Sequence, residues 1–190
     1  MVGALTGPAS ATTAWARGGQ GEEAVGRSLT RAVGSTGEVL HDRAIPGSRA
    51  NIDHLVVVPS GVWVIDTKHY RGRVQQRRGW FGAAPSLYVQ GHNRTNLIVS
   101  AVRQRRLVQR ALEVRVPVHA ALCFVDAEWG FFAAPFSIDG VEVTWCRRLA
   151  GSLRASGDLH RRDILRLAAH LAEVFPAYAP SGTSQSPTGA

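Results

Sequence analysis

The spacing of apolar residues changes period twice before the middle of the chain. Residues 21–33, GEEAVGRSLTRAV, place Val25, Leu29 and Val33 four apart, the spacing of one helical face. Glu22 falls three residues before Val25 and shares that inward stripe, whereas Glu23 points elsewhere. Dipole compensation in the first helical turn accounts for Glu23 better than for Glu22. A short strand is expected at residues 38–45, then two more at 51–58 and 62–70, with Pro59, Ser60 and Gly61 making the turn between them. LVVV and GVWVI are apolar at consecutive positions, hence on both faces, which marks central strands covered on each side.

Residues 73–92 read as a further hairpin or loop excursion with RGWFG at its bend. A second helix follows over 95–113, then a buried strand VPVHAALCFV and another, VEVTWC. A last amphipathic helix over 158–175 is stopped by Pro176. Helix, three strands, helix, strand predicts an α/β fold, a three-layer sandwich with a central mixed sheet flanked by helices. The order lacks the strict alternation of a doubly wound sheet.

With 190 residues the chain can build one full core. Residues 1–17 and 177–190 are rich in small residues, proline and serine, and are expected as a flexible leader and a disordered tail around a single domain, 18–176. The leader lacks the basic start and continuous apolar stretch of a signal peptide. No apolar run approaches the roughly 20 residues that cross a bilayer. A cytoplasmic protein with no membrane partner is the expectation; the sequence does not indicate an oligomeric state.

A net charge of +8 and a pI near 10.9 favour a polyanionic partner, nucleic acid before acidic lipid. Arg103, Arg106 and Arg110 recur at helical spacing, and Arg71, Arg73, Arg77 and Arg78 cluster after the central hairpin. These are candidate contacts to a phosphate backbone, against the simpler account of a solvated face. Trp80 and Phe81 could stack on a base or simply pack. Cys123 and Cys146 stand in apolar segments without metal-ligand spacing and are expected as reduced, buried thiols.

The sharpest compositional feature is Lys68, the only lysine, in a chain whose every other Lys or Arg position is arginine. An ammonium is a compact point charge, whereas a guanidinium is a planar fork. Lys68 sits in NIDHLVVVPSGVWVIDTKHY, residues 51–70, with Asp53 and Asp66. Strand alternation sends Asp66 and Lys68 to one face with Val62 and Val64, and Asp53 to a face with Leu55 and Val57. A Pro59–Ser60 loop puts Asp53 opposite Asp66; a Ser60–Gly61 loop puts it opposite Lys68. In both registers the three groups converge, with opposed side chains about 5 Å apart. Two carboxylates so close call for a cation. Lys68 could be that cation in a buried ion triad, or a divalent metal could bind, and hard carboxylate oxygens suit Mg²⁺ or Mn²⁺.

An acid on one strand, Asp-x-Lys on the next and a helical Glu upstream resemble the PD-(D/E)xK nuclease superfamily. The closest resemblance is to its nuclease-related domain (NERD) family. GGQGEEAV resembles the family's Gly-x-x-Gly-Glu opening at Gly18, Gly21 and Glu22, and NIDHLVVVPSGVWVIDTKHYRG resembles its central signature, with Asp53, Asp66, Lys68 and Gly72 in matching places. The resemblance spans roughly residues 18–125. It implies a restriction-endonuclease-like core, Glu22, Asp53 and Asp66 around Mg²⁺ or Mn²⁺, Lys68 as the catalytic cation, and hydrolysis of a phosphodiester, in DNA first. The family also carries a glutamine in the helix after the hairpin; here Ser100 stands at that position and Gln104, one turn on, is the auxiliary candidate. That departure keeps a second reading open, a weak or inactive nucleic-acid-binding module on the same fold.

His54 and His69 alternate to the other face and share no zinc spacing, so packed or partner-bonded histidines are expected. No Gly-x-Ser-x-Gly elbow or phosphate-cradling loop occurs in the sequence.

Overall fold

The computed structural model describes residues 25–78, 84–112, 114–130 and 133–179. The expected leader, Gly18, Gly21, Glu22, Glu23, Trp80, Phe81 and Glu113 lie outside the described residues, as do 180–190.

Residues 25–33 are helical (α1) and run into a 3-10 turn at Gly34–Thr36. Then come β1 (Glu38–Ala44), β2 (Asn51–Val58) and β3 (Gly61–Lys68). A smaller group follows, β4 (Gly72–Arg77), β5 (Ser86–Val89) and β6 (His92–Asn93). After α2 (Thr95–Ala111) lie β7 (Val118–Phe124), β8 (Ala127–Glu128), β9 (Phe136–Ile138) and β10 (Val141–Thr144). Two helices close the order, α3 (Cys146–Leu153) and α4 (Arg161–Val174). Beyond α4 the chain returns to β1: Ala44 donates to the Pro176 carbonyl and Ala177 bridges Arg43.

Six strands form one mixed sheet in the order β1-β2-β3-β7-β10-β9. The β1–β2 and β2–β3 pairs are antiparallel, and β3, β7 and β10 run parallel. Alternation divides its side chains between two helical layers. Leu55, Val57, Val62 and Val64 meet Val108 of α2 and Ile164, Leu167 and Leu171 of α4. Val56, Val58, Trp63 and Ile65 meet Val25, Leu29 and Val33 of α1 and Leu149 and Leu153 of α3. The result is the three-layer α/β sandwich that the element order predicts, with β3 and β7 buried on both faces. Truncating one of these fully buried aliphatic side chains to alanine costs about 2–5 kcal/mol.

Four details differ from the sequence reading. The second sheet, β6-β5-β4-β8, is larger than a lone excursion; it packs Val74, Leu87 and Val89 onto Ile98 and Ala101 of α2. The β3 strand ends at Lys68 and not Tyr70. The strand expected through Cys146 stops at Thr144, because Trp145 turns the chain and Cys146 opens α3. That helix has only two buried apolar side chains over eight residues, too few to show a period. The β9–β10 hairpin turns on Asp139–Gly140, whose φ values of 50° and 71° suit the Asp-Gly pair of a tight two-residue loop.

The β2–β3 turn is Pro59–Ser60, since Val58 pairs with Gly61. Gly61 has φ +130°, and a Cβ there would lie 2.4 Å from the Pro117 carbonyl oxygen. That oxygen also accepts from Val62 N–H at 2.9 Å, so the entry to β7 crosses tightly over this turn. Of the two possible registers, Asp53 therefore takes the one opposite Asp66.

Candidate active site

Strand β3 is held unequally on its two sides. Toward β7 the pairing runs through Asp66↔Leu122 and Lys68↔Phe124, and Val125 N–H donates to the Lys68 carbonyl at 3.1 Å. Toward β2 the backbone pairing ends at His54↔Ile65. Past that point Thr67 N–H donates to Asp53 Oδ2 at 2.8 Å, so a side-chain carboxylate takes the place of a backbone acceptor. The strands part in a fork, and Asp53, Asp66 and Lys68 fill it. Lys68 Nζ lies 2.6 Å from Asp66 Oδ1, and Asp66 is only 6% exposed.

The electrostatics of the fork follow from crowding. Burial and then the charge of Asp66 push the Asp53 carboxyl up to about 8, against a partial correction from the Thr67 hydrogen bond and Lys68. Burial pulls Lys68 down, but the charge and hydrogen bond of Asp66 outweigh it, so the ammonium is held above its ordinary value. Lys68 is thus firmly charged, and it neutralises Asp66 more than Asp53. The leftover demand for positive charge falls on Asp53, whose carboxyl is held toward its protonated form.

The auxiliary candidate Gln104 lies on the inward side of α2, and its Nε2 donates to the Asn51 carbonyl at 3.3 Å, two residues before Asp53. Its Oε1 is buried without a hydrogen-bond partner. Ser100, one turn earlier, is exposed. Arg103, Arg106 and Arg110 are exposed on the solvent side of the same helix, and Arg71 and Arg73 are exposed just beyond β3. Arg77 lies over the Tyr88 ring at 4.0 Å, and Arg94 over Tyr70 at 5.3 Å.

Glu22 is outside the described residues. Among the described residues no three of His, Cys, Asp or Glu gather closely enough to hold a metal. The described part of the site is therefore the pair of carboxylates and the ammonium.

His54 takes the other face, as alternation requires, with His41 of β1 opposite it. His54 is 3% exposed beneath α1, its Nδ1 3.0 Å from Nδ1 of His41, whose Nε2 lies 3.4 Å from Thr30 Oγ1. Gly26 of α1 leaves room for the pair, with a Cβ there 3.2 Å from the His41 ring. The sequence singles out His69 and Gln104 but not the partner that either takes. His69 Nδ1 pairs with Asp126 Oδ2 at 3.1 Å across 57 positions of chain, and Gln104 reaches Asn51 across 53. Neither pairing has a local sequence signal.

No helix among the described residues is long and apolar enough to cross a membrane. A family model described as the nuclease-related domain matches residues 17–125. No curated protein and no solved structure matches the chain.

Proposed function

This chain belongs to the nuclease-related domain family, whose model covers more than half of it, and from that premise we propose that it hydrolyses phosphodiester bonds of DNA at the β2–β3 fork. The observation that carries the reading is the Asp53–Asp66–Lys68 cluster, a partly buried Asp53 beside a buried Asp66 whose combined charge the one ammonium leaves incompletely balanced.

The donor set fits a divalent cation. Two hard carboxylates pressed together until one retains a proton to about pH 8 form a site short of positive charge, which Mg²⁺ or Mn²⁺ would supply. Asp53 and Asp66 would hold it, with Glu22 as the third carboxylate. When bound, such an ion polarises a phosphoryl oxygen and makes a water more acidic. Cation binding and release of the Asp53 proton are linked, because both answer the same excess of carboxylate charge.

Lys68 supplies the fixed positive charge. Its ammonium, oriented by Asp66, stabilises the negative charge that grows on the phosphoryl oxygens during displacement. Gln104 acts as a positioning residue, tying α2 to the strand that delivers Asp53. Arg71 and Arg73 beyond β3, with Arg103, Arg106 and Arg110 on α2, neutralise flanking phosphates and set register without reading bases.

The test is cleavage of plasmid and linear DNA by the full chain with Mg²⁺ or Mn²⁺, stopped by EDTA. Lys68→Ala should abolish it, and equal activity in that variant sinks the assignment. The exposed Ser100 in α2 favours one further reading, the binding module without catalysis. It expects salt-sensitive DNA binding that survives Asp66→Ala, with no cleavage at any metal concentration. Single-stranded, double-stranded and RNA substrates compared side by side define the preferred nucleic acid.

A further inference from the structure

We infer that Cys123 and Cys146 are a reversible thiol–disulfide pair, a modification site separate from the β2–β3 fork. They are the only cysteines in the chain, and both are free thiols. Their sulfurs lie 3.1 Å apart. A disulfide bond of roughly 2.05 Å is about 1 Å away, within reach of side-chain torsion.

The fold creates this contact. Cys123 sits in β7, its position paired with Thr67 on one side and Thr144 on the other. Trp145 then turns the chain, and Cys146, first residue of α3, comes back over the same face of β7. Cys123 is fully buried and Cys146 is half-buried, so one sulfur meets solvent and the other does not.

This asymmetry assigns the roles. The hydrogen bond with Cys123 holds the Cys146 thiol below its ordinary value, although burial works against it. The same bond, followed by burial, pushes Cys123 well above. A thiolate at the start of a helix, partly open to solvent, is the reactive form of cysteine. The co-reactant is a hydroperoxide. The Cys146 thiolate attacks its terminal oxygen, the O–O bond breaks, and the alkoxide or hydroxide leaves, taking up the proton that the Cys146 thiol had released, with Cys146 as the sulfenic acid. Cys123 sulfur then attacks Cys146 Sγ, the S–O bond breaks, and hydroxide departs with the Cys123 proton as water. The two thiols lose two electrons and the peroxide gains them. A dithiol reductant reverses the change by exchange.

The bond would close the segment carrying β8, β9 and β10 and clamp α3 onto β7, the strand beside β3. Its formation does not depend on whether the fork cuts DNA. The test treats the full reduced chain with a small excess of hydrogen peroxide. No Lys or Arg lies between Val116 and Arg147, so both cysteines fall in one tryptic peptide. That peptide should become two hydrogens lighter, free thiols should fall from two to none, and dithiothreitol should restore both. Oxidation should raise Tm by about 5 °C through loop closure, a gain absent in Cys146→Ser. Thiols that stay free, oxygen added to Cys146 without a cross-link, or bonds only between chains would each overturn the inference. The peptide measurement on the unaltered chain decides the matter even if the serine variant folds poorly.

Discussion

Asp53 and His54 are chain neighbours on β2, the first partly buried and the second buried, and they face opposite layers of one sandwich. Each titrates far from its ordinary range, for different reasons. His54 is pushed down to about 3, chiefly by burial and secondarily by His41, and rests as a neutral ring beside a ring partner. Asp53 is pushed up to about 8 by burial and by a second carboxylate that already has its own cation. On the histidine face, dropping a proton removes the cost of burial. On the acid face Lys68 pairs with Asp66, and the deficit left at Asp53 is positive charge. A buried group that can become neutral packs, whereas a buried pair that cannot both ionise is poised to bind a cation.

Substitution gives the largest expected contrast. Lys68→Ala should lower the DNA cleavage rate by about 10²–10³-fold or more, with the fold retained. His54→Gln should leave the rate within a few-fold and instead lower Tm, because its cost is in packing. A His54 variant that stays folded yet loses cleavage as completely would break the distinction between the faces. Lys68→Arg sharpens it, since the charge persists but a planar fork replaces a point cation. Cleavage should fall steeply while the melting curve stays close to the parent's.

Metal addition comes next. Millimolar Mg²⁺ or Mn²⁺ should raise Tm by roughly 5 °C when it saturates a site present only in the folded state. Asp66→Asn should lose most of that gain. His54→Gln should keep the gain. An unmoved melting curve in the parent would make the acid cluster structural.

The two faces also oppose each other in pH. Between its ordinary 3.8 and about 8, Asp53 keeps a proton when folded that the unfolded chain has lost, so stability falls as pH rises. His54 does the reverse: from 6.5 down to about 3 the unfolded chain takes up a proton that the folded chain refuses, so stability falls as pH drops. Above pH 6.5 only Asp53 acts, and denaturant titrations without metal should lose up to about 2 kcal/mol by pH 8. Asp53→Asn should flatten that limb and leave the acid limb intact.

The smallest effect belongs to the surface. Arg106→Ala should weaken DNA binding a few-fold, equally for all sequences, and reduce the salt slope by about 1. Cleavage at saturating DNA should be unaffected, since the outward face of α2 does not touch the fork.

Much of the fold was legible because its signals are short. Val25, Leu29 and Val33 mark a helical face, and the runs in β2 and β3 mark strands buried on both sides. The Asp139–Gly140 turn is equally local, an Asp-Gly pair directly before a strand. Helix α3 left little trace, since Leu149 and Leu153 are too few to reveal a period.

By itself the sequence determined which side chains share a face: alternation alone brings Asp53, Asp66 and Lys68 to one side and His54 to the other, since it depends only on neighbouring backbone geometry. Tertiary structure decided the rest. The Pro117 carbonyl against Gly61 accompanies the Pro59–Ser60 register. The early end of the β2–β3 ladder opens the fork, and long-range folding brings Gln104 to Asn51 and Cys146 to Cys123. These contacts join segments 23 to 56 positions apart, and no local periodicity encodes which distant atoms will meet once the layers pack.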